Sequence, residues 1–224
     1  MAGLANYEVR ENVAVIQFDD GKVNAMSYAL LDAIEENYDR ALADDQVKSV
    51  LLIGRPGIFS AGFDLKEMKK GHEAATKLVA RGGRLALRFF TSKLPLVMAV
   101  SGHAMAMGAI FLMTADKRVG VKGDFKIGLN ESAIGMVMPP FGCYVTEHRL
   151  DKKFLTRSVI NGEIFTPELA MEAGFLDSAV EPDALFEAAV AEAQTLAALD
   201  TKAVYGTKMF IRGETLKKIQ QHEM

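Results

Sequence analysis

A β-rich run, a helical stretch and a second β-rich run succeed one another twice in the first half of the chain, and that order restricts the fold more than any other feature. YEVRENVAVIQF at 7–18 alternates apolar and polar residues around Glu11–Asn12, the pattern of an antiparallel hairpin with one buried face. SYALLDAIEENYDRALAD then sets Leu30, Leu31, Ile34, Tyr38 and Leu42 at helical spacing behind a cap at Ser27. VKSVLLIG closes the unit as a strand ending in glycine, and the crossover should be right-handed. A second round runs through a helix over 73–90, the strand LVMAVSG at 96–102, a small-residue turn and a helix through GAIFLMTAD. Alternation of this kind predicts an α/β fold.

KRVGV and FKIGL read as two further short strands, and from residue 142 onward the pattern is almost wholly helical. Thr166 and Gly174 bracket one helix, Pro182 begins another, and 201–222 form a last one without a cap. The chain shows no internal repeat and no Pro/Ser-rich linker. We therefore read a core over 1–160 and a helical C-terminal region over 161–224, packed together rather than tethered.

With 224 residues, half of them hydrophobic, the chain can bury one sizeable core. A net charge of −3 leaves no basic footprint for nucleic acid and no acidic tail, so a small-molecule partner is the better expectation. Cys143 is alone and cannot form an internal disulfide, and MAGLANYEVR has no leader-like apolar run, which together suggest a reducing, cytoplasmic setting. The longest apolar run, AMAMGAIFLM at 104–113, is half of the roughly 20 residues a membrane span needs, so no membrane partner is expected. Histidines at 72, 103, 148 and 222 share no ligand spacing, and no metal site is expected. GGRLALR lacks the glycine spacing and the preceding strand of a dinucleotide loop, which argues against a nicotinamide or flavin cofactor.

Two loops remain as candidate sites, FSAGFDLKEM at 59–68 and SGHAMAMGAIFLM at 101–113, each after an expected strand. Their Gly, Ala and Ser residues let a backbone turn sharply and expose N–H groups that could hold an oxyanion. Read from pattern alone, they are equally well tight turns packed on the core.

Those two loops, together with FKIGLNESAIGMVMPP and LAMEAGFLDSAV, resemble the crotonase family of enoyl-CoA hydratases and isomerases, in the right order over roughly residues 7–200. The resemblance implies a spiral of ββα units with a helical C-terminal region, assembled as a homotrimer or a dimer of trimers. It implies an acyl-CoA thioester as ligand, with coenzyme A as part of the substrate and no further cofactor. By the same resemblance the oxyanion hole falls on the backbone N–H groups of Phe63 and Met107, beside Gly108, with methionine where the family commonly has glycine. Ser60, Ala61, Gly62, Asp64, Leu65 and Lys66 fall in the segment whose backbone holds the coenzyme, although Asp64 is equally a plain helix cap. Lys66, Lys69 and Lys70, or Arg81, Arg84 and Arg88 on one helical face, are candidates for phosphate contacts or simply solvated faces. Relatives usually continue beyond the position of Met224 with helices that close the site, which bears on both cover and assembly.

Hydratases of the family carry two glutamates that work on one water. The later position matches Glu131; the earlier falls on Ile110, which cannot move a proton. One base suffices to shift a double bond from C3 to C2, and the IGLNE spelling is closer to the 3-enoyl-CoA isomerases. Ile127, Leu129, Ile134 and Met136 should desolvate Glu131 and raise its pKa, and Met105, Met107, Met113, Met136 and Met138 would suit an acyl chain or merely fill the core. Without the resemblance, Glu131 is equally a surface or helix-end residue. The expected activity is enoyl-CoA isomerisation; the alternatives are a hydratase or other crotonase-type thioester reaction, and a catalytically weak CoA-binding or assembly protein.

Overall fold

In the computed structural model, which describes residues 3–222, strand pairs after the opening hairpin divide between two sheets. The hairpin itself, β1 (Ala5–Arg10) and β2 (Val13–Phe18), pairs antiparallel around Glu11, whose φ of 53° is the left-handed conformation that a two-residue turn requires. Helix α1 (Tyr28–Ala43) starts on Ser27, whose hydroxyl accepts from the Leu30 N–H at 3.2 Å. It buries Leu30, Leu31, Ile34, Tyr38 and Ala41; Leu42, counted in this stripe from the sequence, turns outward.

Three ββα units follow. β3 (Ser49–Ile53) and β4 (Gly57–Ser60) precede the short α2 (Leu65–Met68) and the long α3 (His72–Phe90). β5 (Leu96–Val100) and β6 (Gly102–Met105) precede α4 (Met107–Thr114), and β7 (Lys117–Val121) and β8 (Ile127–Gly128) precede α5 (Pro140–Arg149). The helical remainder comprises α6 (Lys152–Leu155), α7 (Pro167–Ala173), α8 (Leu185–Ala197) and α9 (Thr201–His222), with two short strands, β9 (Ile164–Phe165) and β10 (Ser178–Val180), between them.

The first strand of each unit joins a six-stranded sheet ordered β1-β2-β3-β5-β7-β10, and the second joins a four-stranded sheet ordered β4-β6-β8-β9. This is the ββα spiral that the resemblance implied. β4 and β6 read as loops and turns, because four-residue segments such as GIFS and GHAM, each opening on glycine, are too short to carry a usable period. β9 and β10 likewise interrupt the stretch read as helical, and they give each sheet one strand from beyond residue 160. The crossing from β5 to β6 depends on Gly102, where a Cβ would lie 2.0 Å from the Gly57 backbone of β4. No side chain fits there, so the sheets can approach only over bare backbone.

Every residue of β3 and β5 is buried, as expected of a strand covered on both faces. Val50, Leu52, Leu96 and Met98 pack with α1, α3 and α4, whereas Leu51, Ile53, Val97 and Ala99 pack with Leu185, Ala189, Val190 and Ala193 of α8. Helix α9 is fastened differently. Its Lys208 and Arg212 reach the Asp116 carboxylate at 2.6 and 2.9 Å, and the same carboxylate accepts the Leu96 N–H at 2.8 Å. Lys208 also donates to the Ser92 and Leu94 carbonyls. Asp116→Ala would leave two buried cations without their anion, so denaturant unfolding should show a loss of about 3–5 kcal/mol. No described helix is long and apolar enough to cross a membrane.

Candidate active site

The first loop leaves β4 already braced. Ser60 is fully buried, its hydroxyl donating to the Asn24 carbonyl at 2.7 Å and accepting the Gly62 N–H at 3.1 Å. Met26 N–H bonds Gly62 O at 2.8 Å and Ala61 N–H bonds Val23 O at 3.0 Å, so the loop is laced to residues 23–26. The Asn24 carboxamide holds the carbonyls of Phe18, Ile58 and Phe59 in turn. This lacing consumes the neighbouring amides and leaves the Phe63 N–H without an acceptor among the described residues. The Phe63 ring lies against α3, where a Cβ on Gly82 would meet it at 2.6 Å.

The second loop turns from β6 into α4 at Ala106, with φ 49° and ψ −122°. That strained angle, which L residues rarely adopt, falls on Ala106 and not on Met107, the residue that departs from the family's glycine. Met107 is instead the first residue of α4, its side chain fully buried and its N–H one of the helix's unpaired donors. The loops touch: a Cβ on Gly62 would lie 2.9 Å from the Ala106 Cβ and 3.5 Å from the Met107 nitrogen. Gly108 packs α4 onto Ser60, where a Cβ would meet the Ser60 Cβ and carbonyl at 2.7 Å. Two amides without acceptors among the described residues thus lie on braced loops that touch, an arrangement that can receive an oxyanion.

A cavity of about 160 Å³ opens beside them, lined by Ala61, Phe63 and Ala106 on this side and by Asn130 and Glu131 beyond the end of β8. Glu131 is only 6% exposed, and its Oε2 has no partner. Its backbone carbonyl accepts the Ile134 and Met136 N–H groups, which fixes the turn that carries it. Burial pushes its carboxyl above the ordinary value of 4.5, against a smaller downward pull from its own backbone amide. Ile110, buried on α4, lines the same cavity, so the wall where a second carboxylate would stand is apolar.

The desolvating shell is only partly the one read from the sequence. Ile134 and Met136 line the cavity, whereas Ile127 and Leu129 lie in the core behind it. Met68 and Val79 come from α2 and α3, and pattern near Glu131 gave no sign of either. Of the five methionines singled out, Met136 alone lines the cavity. Asn130 was also missed, although its Oδ1 is buried without a partner. Among the first-loop residues, Ala61 and Leu65 line the cavity with Phe63, while Asp64 caps α2 by accepting the Lys66 N–H at 2.8 Å. Lys66 and Lys69 are exposed, and Lys70 pairs with Glu67. The arginines do not act as a set: Arg81 binds Asp32 and Glu35, and Arg88 binds Glu35 and Asp39, all on α1. Those two are held in ion pairs with α1, so the three arginines do not form one unpaired cationic face.

Residues 8–224 match the sequence profile described as Enoyl-CoA hydratase/isomerase. The chain is 31% identical over 185 residues to the mitochondrial enoyl-CoA delta isomerase 1 of Rattus norvegicus, an alignment covering 80% of this chain and 63% of that protein. It is 27% identical over 220 residues to a probable enoyl-CoA hydratase of Bacillus subtilis, covering 93% and 84%. The crystal structure of an enoyl-CoA hydratase/isomerase family protein from Pseudomonas syringae superposes with a TM-score of 0.94 at 42% identity, covering 98% of this chain and 94% of that one.

Proposed function

The chain belongs to the enoyl-CoA hydratase/isomerase family, the crotonases, and from that premise we propose that it moves the double bond of an enoyl-CoA from C3 to C2. The observation that carries this reading is a single buried carboxylate beside two free amides, with Ile110 on the wall where a second acid would be needed.

The thioester oxygen lies between the Phe63 and Met107 N–H groups. Glu131 removes a proton from C2; the C–H electrons form the C1–C2 double bond and the carbonyl electrons move to oxygen, giving a dienolate. Each backbone donor is worth roughly 2.7–4 kcal/mol against that charge. The protonated Glu131 then delivers its proton to C4 as the electrons fall back, the carbonyl re-forms and the double bond stands between C2 and C3. A raised pKa suits this work, because the group must bind the proton well enough to carry it and release it to carbon. Coenzyme A enters only as part of the substrate, held by the backbone of residues 60–66 with Lys66 and Lys69 available to its phosphates. The reading includes assembly as a homotrimer or a dimer of trimers, for which Phe210 and Ile211 of α9 offer exposed apolar surface.

Hydration is the second reading, favoured by the unpartnered Asn130 Oδ1, which would hold a water near Glu131. An amide orients water but neither takes nor gives its proton, so water addition lacks its second acid. A CoA-binding protein of weak activity is the third. Offering 3-enoyl-CoA and 2-enoyl-CoA separately tests all three. Isomerisation of the first at unchanged mass, with the second left unhydrated, is expected; water addition as the main reaction would make it a hydratase, and binding without reaction a carrier.

A further inference from the structure

Helix α3 carries three arginines, and acids are unevenly shared among them. Arg81 and Arg88 are held by Asp32, Glu35 and Asp39 of α1. Arg84 lies between them in sequence, is exposed, and has neither an ion pair nor a hydrogen bond among the described residues. It lines a groove of about 710 Å³ between α3 and residues 136–141. That groove shares Met68, Val79, Met136, Val137 and Pro139 with the Glu131 cavity, so the two adjoin along these residues.

The groove is apolar apart from His72, Thr76 and Arg84. Val79, Ala80, Met136, Val137 and Phe141 form its walls; among the described residues no aspartate or glutamate lines it, and Arg84 is its one arginine or lysine. Phe141 is seated against Gly83, where a Cβ would lie 2.8 Å from the ring, so the aromatic wall stands beside the turn that carries Arg84. Five residues of helix separate Val79, at the shared mouth, from Arg84, a rise of about 7–8 Å. A chain leaving the cavity along α3 would therefore bring its far end toward the guanidinium.

We infer that this groove takes the distal part of the acyl chain and that Arg84 selects chains ending in a carboxylate, the thioesters of dicarboxylic acids. The inference rests on the acyl-thioester reading above. Methylene groups find apolar walls, and a terminal carboxylate finds an unpaired guanidinium whose planar fork matches it in two parallel hydrogen bonds. A methyl end gains only the walls. Phosphates of the coenzyme are the other anions the guanidinium could meet, and they differ in one testable respect: every CoA ester carries them.

The test measures dissociation constants of the saturated coenzyme A esters of hexanoic and adipic acid, which match in chain length and need no turnover, for the wild type, Arg84→Met and Arg84→Lys. The wild type should bind the adipoyl ester about tenfold or more tightly than the hexanoyl ester. Arg84→Met should bring that ratio to about one by weakening the adipoyl ester alone, and Arg84→Lys should restore part of it. A wild-type ratio near one, or an Arg84→Met variant that weakens both esters equally, overturns the inference and leaves the proposed reaction standing; the second result assigns Arg84 to the phosphates. A wild type that binds neither ester overturns the inference and the thioester reading together.

Discussion

Glu131→Gln lowers kcat for double-bond migration by about 10²–10⁴-fold, while saturated CoA esters bind as before. The variant keeps the shape of the side chain and removes its capacity to carry a proton, so the loss isolates the chemistry from the packing. It should not cost stability. A carboxyl whose folded pKa is raised binds its proton more tightly in the folded state, so its contribution is full below the ordinary value of 4.5 and is lost as pH rises through the folded pKa. Near neutral pH the glutamine variant should therefore melt no lower than the wild type. The same direction sets the wild-type activity profile, because the base must be ionised to begin. The rate should fall on an acidic limb lying above pH 4.5, caused by the burial of Glu131, and a profile flat through that region would contradict the assignment.

Gly62→Ala is expected to be nearly as damaging from a position that offers no side chain to the reaction. At φ 95° and with its Cβ 2.9 Å from the Ala106 Cβ, an alanine must push the two oxyanion loops apart. The Phe63 and Met107 amides then no longer converge, and losing one well-placed donor costs about 10²–10³-fold in kcat. The effect should fall on kcat with KM little changed, since the hole acts on the charge that develops and not on the ground state. Gly57→Ala makes a useful comparison: its φ is also positive, at 85°, but nothing lies within 4 Å of the added Cβ. It should carry the backbone strain without moving the loops, and an equal fall in kcat there would argue against the steric account.

The first strand of every ββα unit was legible in the sequence, and the second only in the third unit. β3 and β5 announce themselves as five-residue apolar runs, and β7 and β8 fall within KRVGV and FKIGL, whereas β4 and β6 are four residues long and pair parallel with each other in the second sheet. Such strands exist because the sheet exists, and no local period reports them. The site divides in the same way. Glu131, Phe63 and Met107 could be picked out through resemblance, but what makes Glu131 a base is supplied by Phe63, Met68, Val79 and Ile110, which lie between 21 and 68 residues away in the chain. Methionine stands at 107 where the resemblance implies glycine, and the strained backbone angle falls one residue earlier, at Ala106. The arginines show the limit most plainly. Their spacing placed them on one helical face, but the acids that claim Arg81 and Arg88 lie 46–53 residues upstream, and only the folded pairing of α1 with α3 separates Arg84 from the other two.

The central claim is that one carboxylate takes a proton from C2 and gives it back at C4. A 3-enoyl-CoA deuterated at C2 tests it directly when the product formed in ordinary water is analysed by mass and position of label. Transfer through a buried Glu131 predicts a 2-enoyl product of unchanged carbon skeleton, without added water, carrying deuterium at C4. Product whose C4 hydrogen comes entirely from solvent, or product heavier by one water, would contradict it.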